Sequence, residues 1–471
     1  MAWFNFGKKK EKIETATEVV KEISETSTCL GVFDFFTLGK SDQVLILGRL
    51  KGNIKLGDRL QVCNPGESFE SFGELTVEKL SNGKEDSNLL TDEPLAHIVV
   101  DASEVAGRLK KGSVLYTSNI DERLLLSSYT DALYTSFVEM QNGDMSNEDY
   151  LRASLEDSVE ILRLFLWDCR ENRQNGSEEE YQKNLAKIAH LEEVVRDKLL
   201  EADEVYVIYS QLTGEPYMFS KTYDRGDDGY LCTDPLIHLS TSRWYHHYKE
   251  TFDSQTNTQV RRIENTEDKE AIKNFLGSAF YLNGALGIIM NSDDVCIKAQ
   301  SLVEEPDFSN LPEIQVPVRN PDVVRWLLLL GQLGKPDTED KQLVDRLYYG
   351  FLSKAVPKAK FLIPVRRGEN FPEASDEAKE VMLERGASLD LPVREGKDGR
   401  QAISLFTDWK RLRMVFDEEW DGMIEPAGNM IAMFDYIVNG TEYLQAGCYI
   451  SQDSFKEMEK ISAELNDAPK Q

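Results

Sequence analysis

Residues 403–410 read ISLFTDWK, and residues 237–244 read IHLSTSRW. In both stretches a short apolar run ends at serine or threonine, and an aromatic segment with helical spacing follows. Thr407 or Asp408 in one stretch, and Thr241 or Ser242 in the other, are residue types that favour the N-cap of a helix. The two stretches therefore predict the same sequence of strand, cap and helix.

A second pair of stretches follows each of these. Residues 286–292 (LGIIMNS) align with residues 446–452 (AGCYISQ), and both are typical of a strand. Residues 203–306 and 351–471 thus share an order of elements, which predicts two diverged copies of one α/β module. We call them the first and the second module. Each is too long to be the unit of a solenoid.

The modules resemble the N-terminal domain of the SseB family, which is named for enhanced serine sensitivity. The resemblance lies in a proline-containing strand at residues 363–365 (IPV), a Phe-Thr pair at residues 406–407 and a closing strand at residues 287–291 (GIIMN). In the second module, the alignment places Ile450 and Ser451 where the family has Ile-Asn. The resemblance implies the family's fold, and it implies no catalytic residue because the family carries no established one.

The N-terminal part predicts a small barrel of short strands separated by glycine turns. Residues 47–58 (LGRLKGNIKLGD) resemble the G-R-x-x-x-G-x-I-x-x-G segment of the second domain of elongation factors such as elongation factor Tu. Residues 109–115 (LKKGSVL) resemble the closing strand of that barrel. The resemblance implies no GTPase, because a nucleotide domain is missing. Residues 39–41 (GKS) match the end of a phosphate-binding loop, but Asp34 stands where that motif needs a glycine.

The predicted fold class is α+β and multidomain, with an N-terminal β-barrel, a helical spacer and two related α/β modules. Three helices with apolar residues at three- and four-residue spacing predict the spacer, and Ser177 is a candidate cap for the last of them. The predicted divisions are a tail at 1–25, a barrel at 26–120, the spacer at 121–202, the first module at 203–306, linker helices at 307–350 and the second module at 351–471.

Composition limits the function. The 471 residues carry 54 basic and 83 acidic side chains, for a net charge of −29. Such a surface repels phosphate backbones, so no nucleic-acid partner is expected. Six well-separated cysteines without a CxxC pair indicate reduced thiols in the cytoplasm, and their spacing predicts no metal site.

The N-terminal segment combines aromatic and basic residues. It is too short for a signal peptide, and no apolar run is long enough to span a membrane. A peripheral contact with an anionic membrane surface is one interpretation of this segment. The residues involved are Trp3, Phe4, Phe6, Lys8, Lys9 and Lys10.

The sequence shows no arrangement that indicates catalysis, a cofactor or a metal. The adjacent pair His246 and His247 would point about 100° apart on a helix, so the two cannot readily face one metal. His238 and Cys232 are six positions apart, without an orienting acid at a recognisable spacing. His238 is therefore expected to be a core or edge histidine.

We therefore expect a non-enzymatic cytoplasmic protein that binds or scaffolds an unidentified protein partner. The residues predicted to form an interaction surface are Gly287, Asn291, Phe406, Thr407 and Asp408. Two alternatives stay open at this point. One is a small-ligand or enzymatic role linked to amino-acid metabolism, with a cleft between the two modules. The other is recruitment to a membrane surface through the N-terminal segment.

Overall fold

The computed structural model of the chain describes residues 27–39, 42–105, 107–118, 120–172, 177–255, 257–291, 295–311, 316–368, 388–396, 399–440 and 446–467. Its contacts divide the chain into two compact units, which meet between Ala202 and Asp203. The finer predicted division stays a prediction. The predicted membrane-contact residues at 3–10 lie outside the described residues. Within the described ranges, no helix is both long and apolar enough to cross a membrane.

The first unit begins with a closed six-stranded barrel, as the sequence predicts. Strands follow one another around it in the order β4-β9-β1-β2-β8-β5, and β5 pairs with β4 to close the ring. The strands of this unit are β1 (Cys29–Thr37), β2 (Gln43–Lys51), β3 (Asn53–Lys55), β4 (Arg59–Asn64), β5 (Ser68–Ser81), β6 (Asp86–Ser87), β7 (Leu89–Thr91), β8 (Ala96–Asp101) and β9 (Val114–Tyr116).

The glycines that suggested the barrel have physical roles in it. Gly52 and Gly57 have φ angles of 91° and 84°, which favour glycine, and they turn the chain into β3 and β4. Strand β2 passes close to β1 at Gly48. Glycine is needed there because a Cβ would come within 2.3 Å of the Gly31 carbonyl oxygen. Buried alternating residues such as Ile46 and Ile98 fill the interior, and each contributes about 1.5–3 kcal/mol.

Helices complete the first unit. They are α1 (Glu122–Leu133), which continues into a π-helical segment (Tyr134–Glu139), α2 (Asn147–Arg152), α3 (Leu155–Asn172) and α4 (Glu178–Glu201). Ser177 caps α4 as predicted, since its hydroxyl accepts from the Glu180 amide at 3.2 Å. Helix α1 lies directly against β1, where a Cβ on Gly31 would be 2.4 Å from the Ser128 carbonyl oxygen.

A buried ion group joins the barrel to these helices. Lys110, at the end of the barrel, donates to Asp157 on α3, and also to Glu67 at 2.5 Å. The Tyr129 hydroxyl on α1 donates to Asp157 at 3.0 Å. Burial lowers the pKa of Lys110, but the carboxylates of Asp157 and Glu67 outweigh it and the pKa is raised. Lys110 therefore stays charged, and its attachment fixes the helices on the barrel.

The second unit contains two mixed sheets. The strands of the first module are β10 (Glu204–Ser210), β11 (Met218–Phe219), β12 (Thr222–Asp224), β13 (Tyr230–Cys232), β14 (Leu236–Ser240), β15 (Thr258–Glu264), β16 (Gly287–Met290) and β17 (Cys296–Lys298). Its helices are α5 (Tyr245–Phe252), α6 (Ala271–Tyr281) and α7 (Ala299–Leu302). The main sheet has the order β15-β10-β14-β16-β17.

The second module follows two further helices, α8 (Pro321–Leu333) and α9 (Glu339–Ala355). Its strands are β18 (Lys360–Arg367), β19 (Leu389–Asp390), β20 (Val393–Glu395), β21 (Gln401–Leu405), β22 (Asp421–Pro426), β23 (Asp435–Val438) and β24 (Cys448–Ile450), and its helices are α10 (Trp409–Arg413) and α11 (Gln452–Asp467). A bridge between Leu362 and Phe406 joins β18 to β21. The order β22-β18-β21-β23-β24 therefore repeats the order of the first module.

The pairing corrects one part of the predicted alignment between the modules. Strand β14 pairs in parallel with β16, and β21 pairs in parallel with β23. The counterpart of Asn291 is therefore Asn439, and residues 446–452 contain the next, antiparallel strand β24. The alignment with Ile450 and Ser451 was wrong because two neighbouring strands share the same apolar pattern, and sequence alone does not distinguish them.

We predict that Lys110→Met destabilises the first unit by about 3–5 kcal/mol, because Asp157 would stay buried without its cation. Urea unfolding of the full chain followed by circular dichroism measures this. The matched control is Arg59→Met, since the Arg59–Glu74 pair at 3.3 Å has exposed side chains and its loss costs about 1 kcal/mol or less. Equal effects of the two substitutions would contradict this account.

A second prediction concerns alkaline stability. Burial first, and then the nearby Asp157 charge, raise the pKa of Tyr129 well above its usual value. Above about pH 10 a tyrosine in the unfolded chain loses its proton while Tyr129 in the folded chain keeps it, so stability falls as pH rises. From pH 9 to 11, wild type should lose about 1 kcal/mol more than Tyr129→Phe. The exposed-tyrosine variant Tyr223→Phe should follow wild type in the same urea titrations.

Candidate functional site

The two modules share an asparagine that joins the ends of their parallel strands. The Asn439 side-chain oxygen accepts from the Thr407 amide at 3.2 Å, and the Asn291 oxygen accepts from the Thr241 amide at 3.2 Å. The two asparagines have φ angles of 49° and 52°. Asparagine tolerates this left-handed conformation better than most residues. Each module therefore presents a turn at the carboxyl edge of its parallel pair.

In the second module this turn leads into a buried ion pair. Asp408 caps α10 by accepting from the Arg411 amide at 3.0 Å, and its other oxygen accepts from the Arg411 guanidinium at 2.6 Å. The Thr407 hydroxyl donates to Asp408 at 2.8 Å, and the Asn439 amide donates to that hydroxyl at 2.9 Å. Because each group is bonded, the charges are compensated within the protein.

The same guanidinium reaches the first module. It donates to Asn283 at 2.8 Å and lies 3.5 Å from Glu215, and Asn283 donates to Glu215 at 3.1 Å. Arg411 and Asn283 are almost completely buried. The predicted cleft region between the modules is thus bridged by polar bonds at this point.

The equivalent turn of the first module is built differently. His238 lies in an aromatic group, with its ring centroid 4.9 Å from Tyr248 and 5.4 Å from Phe219. The Tyr248 hydroxyl donates to the Asn291 carbonyl oxygen at 2.7 Å and lies 3.3 Å from His238 Nε2. His238 is buried, in agreement with the expected core histidine.

The adjacent histidines contact different neighbours, and burial keeps two of the thiols protonated. His246 and His247 are exposed on α5, and their rings contact different neighbours, Tyr245 and Trp244. Burial raises the pKa of Cys448 to about 12 and that of Cys169 to about 11, so these thiols stay protonated. Among the residues that the structure describes, no three His, Cys, Asp or Glu side chains are placed to hold one metal ion.

The predicted interaction residues lie in the framework of the modules. Phe406, Thr407, Asp408 and Gly287 are buried, and Asn291 is half-buried. The strand ends bring Thr407, Asp408 and Asn439 together, whereas Gly287 and Asn291 serve the other module. Their role in partner binding stays a prediction. Sequence reasoning missed Arg411, although its place three residues after a candidate cap was a usable signal.

One exposed element stands out, a hairpin of β12 and β13 that sequence reasoning also missed. Its two strands pair only with each other among the described residues. Three large side chains on it are about half exposed, Tyr223 at 50%, Tyr230 at 46% and Leu231 at 47%. Backbone bonds hold its base, where the Thr233 amide donates to the Lys221 carbonyl oxygen at 2.8 Å. Tyr223 and Leu231 share one face of the hairpin and Tyr230 lies on the other, so the hairpin exposes large apolar side chains on both faces.

A small cavity lies elsewhere, in the first unit. Its free volume is about 10 Å³, and Lys110, Lys111, Asp149, Arg152 and Asp157 are among its lining residues. That volume holds about one water molecule. It is too small for a metabolite, whose binding sites usually measure about 300–1,000 Å³.

Comparison with known proteins supports the resemblance of the second module. The family described as SseB protein N-terminal domain matches residues 341–437. The match begins inside α9. No curated protein matches the chain.

One similar solved structure is the apo form of translation elongation factor SelB from Methanococcus maripaludis. It shares 15% identity over 23% of this chain and 24% of that chain, with a TM-score of 0.18. The chain thus spans about a quarter of the length of that protein. The barrel assignment rests on the strand pairing and not on this likeness.

We predict that Asp408→Ala destabilises the second unit by about 3–5 kcal/mol, because Arg411 would remain buried without its main anionic partner. Ser242→Ala is the matched control, since Ser242 occupies the equivalent position in the first module and is exposed. That control should cost at most about 0.5 kcal/mol. Thermal unfolding monitored by calorimetry would refute the account if both variants melt at the wild-type temperature.

Proposed function

We propose that this protein is a non-enzymatic binding protein of the cytoplasm that holds a protein partner on the exposed hairpin of the first module. The observation that carries the proposal is the group of Tyr223, Tyr230 and Leu231 on one ordered element. Large apolar side chains grouped on a surface are typical of interaction sites. Tyrosine in particular is enriched at the centres of protein interfaces.

The hairpin suits binding because it is fixed before a partner arrives. The Arg225 amide donates to the Gly229 carbonyl oxygen at 2.8 Å, and the Gly226 amide donates to the Asp224 carboxylate at 2.8 Å. A surface ordered in advance loses less conformational entropy on binding. Covering the exposed rings would contribute about 25 cal/mol for each Å² of apolar surface removed from water, and this gain is set against the free-energy cost of association.

The interior of the second unit supports binding over catalysis. Asp408 and Arg411 bond to one another and to neighbouring side chains, which leaves them committed to structure. His238 contacts aromatic rings, and Cys232 lies 3.5 Å from the Thr222 hydroxyl. These surroundings differ from those of an activated nucleophile, which needs a base within hydrogen-bond reach.

The test is affinity capture of partners from native cytosol with the full chain as bait, quantified by mass spectrometry. We expect at least one protein that wild type enriches and that Tyr223→Ser/Tyr230→Ser/Leu231→Ser recovers about tenfold less well. The control bait is Leu151→Ser, which removes a side chain that is 78% exposed elsewhere. If no protein is enriched while small metabolites raise the melting temperature, the ligand-binding alternative replaces this proposal.

A further inference from the structure

The backbone of the hairpin has a defined polarity. Arg225 pairs with Gly229 and Lys221 pairs with Thr233 through hydrogen bonds between the strands. In an antiparallel pair, hydrogen-bonded and non-hydrogen-bonded positions alternate. The pair of Tyr223 and Leu231, midway between the other two pairs, is therefore also hydrogen-bonded. Tyr230 lies at a non-hydrogen-bonded position, so its N–H and C=O groups point away from β12.

The same alternation turns the backbone of Cys232 outward. The outer side of β13 thus presents the N–H and C=O groups of two alternate residues, Tyr230 and Cys232. Among the described residues, no further strand lies beside it. Such an edge is a template for another strand. Short length, lysine, proline and bulges all limit pairing at an open edge. Strand β13 is three residues long, but residues 230–232 (YLC) contain neither lysine nor proline.

Side chains on both faces of β13 would contact an added strand. Tyr230 faces the same side as Asp224, and Leu231 faces the same side as Tyr223, because they are direct cross-strand partners. A strand next to β13 would place its alternating side chains against Tyr230 on one face and Leu231 on the other. Added strands gain affinity from the backbone and specificity from such alternating contacts.

The negative charge around the hairpin favours a positively charged partner. Exposed carboxylates of Asp224, Asp227 and Asp234 outnumber the exposed cations Lys221 and Arg225 on and beside it, and the chain as a whole carries −29. A negative field attracts and steers positively charged partners. Tyrosine rings also bind lysine and arginine through their faces.

We propose that an extended lysine- and arginine-rich segment of a protein partner binds as a third strand along the outer edge of β13. This inference rests on the proposed function and specifies its partner. The segment would exchange hydrogen bonds with Tyr230 and Cys232 and would alternate apolar and basic side chains.

Selection from a display library of random nine-residue peptides on the full-length protein tests the partner's chemistry. We expect the enriched peptides to be net basic, free of proline at their centres and alternating in apolar residues. They should lose most of their enrichment on Tyr223→Ser/Leu231→Ser and keep it on Leu151→Ser. Enrichment of acidic or neutral peptides, or no enrichment, would overturn the proposal.

The backbone contact is tested with the best selected peptide by fluorescence anisotropy. Cys232→Pro removes an outward N–H while leaving the hydrogen bonds inside the hairpin, and Cys232→Ser retains it. We expect about tenfold weaker binding for Cys232→Pro than for Cys232→Ser. Equal affinities for the two variants would refute strand addition. Hydrogen exchange of the two free variants shows whether the hairpin itself has remained folded, and Tyr230→Ser reports on the same edge if it has not.

The outcomes separate this inference from the proposed function. If cytosolic capture depends on the hairpin but the selected peptides are not basic strands, the binding function stands and this inference fails. If capture also finds no protein partner, both fail.

Discussion

The second unit depends on one buried ion pair, between Asp408 and Arg411. A buried guanidinium is tolerated only when its donors are satisfied. Asp408, the cap of α10, accepts one hydrogen bond from the guanidinium. Asn283 of the first module accepts another, and the Glu215 carboxylate lies 3.5 Å away. The charge thus fixes the start of a helix and the contact between two modules at once. A polar group in this position specifies the arrangement more sharply than apolar packing would.

The two modules keep the backbone of this region and exchange its side chains. Both retain the left-handed asparagine that bonds to a threonine amide, at Asn291 and Asn439. Only the second module has the acid and the arginine. In the first, Ser242 takes the place of Asp408, and His238 on the preceding strand packs among Phe219 and Tyr248. The shared bond between asparagine and the threonine amide therefore belongs to the fold, whereas the ion pair occurs in only one of the two modules.

The sequence predicts features that depend on neighbours along the chain and misses those that depend on distant pairing. The barrel, the repeated order of elements and the cap at Ser177 all follow from local patterns. The alignment of Asn291 failed because β23 and β24 carry similar short apolar runs, and only pairing distinguishes them. For Arg411, the spacing from Asp408 was a local signal, whereas its contact with Asn283 depends on a residue far away in sequence.

The hairpin was missed because its apolar residues face water, where sequence patterns predict polar ones. Tyr223 and Leu231 would satisfy a strand pattern with a buried face, yet about half of each side chain is exposed. The chain carries a net charge of −29 and is rich in polar residues. Solubility therefore does not require tyrosine on this exposed hairpin. Most large apolar side chains of the second unit fill its interior, as around Phe361 and Tyr436, so the half-exposed Tyr223, Tyr230 and Leu231 depart from the pattern of the rest of the unit.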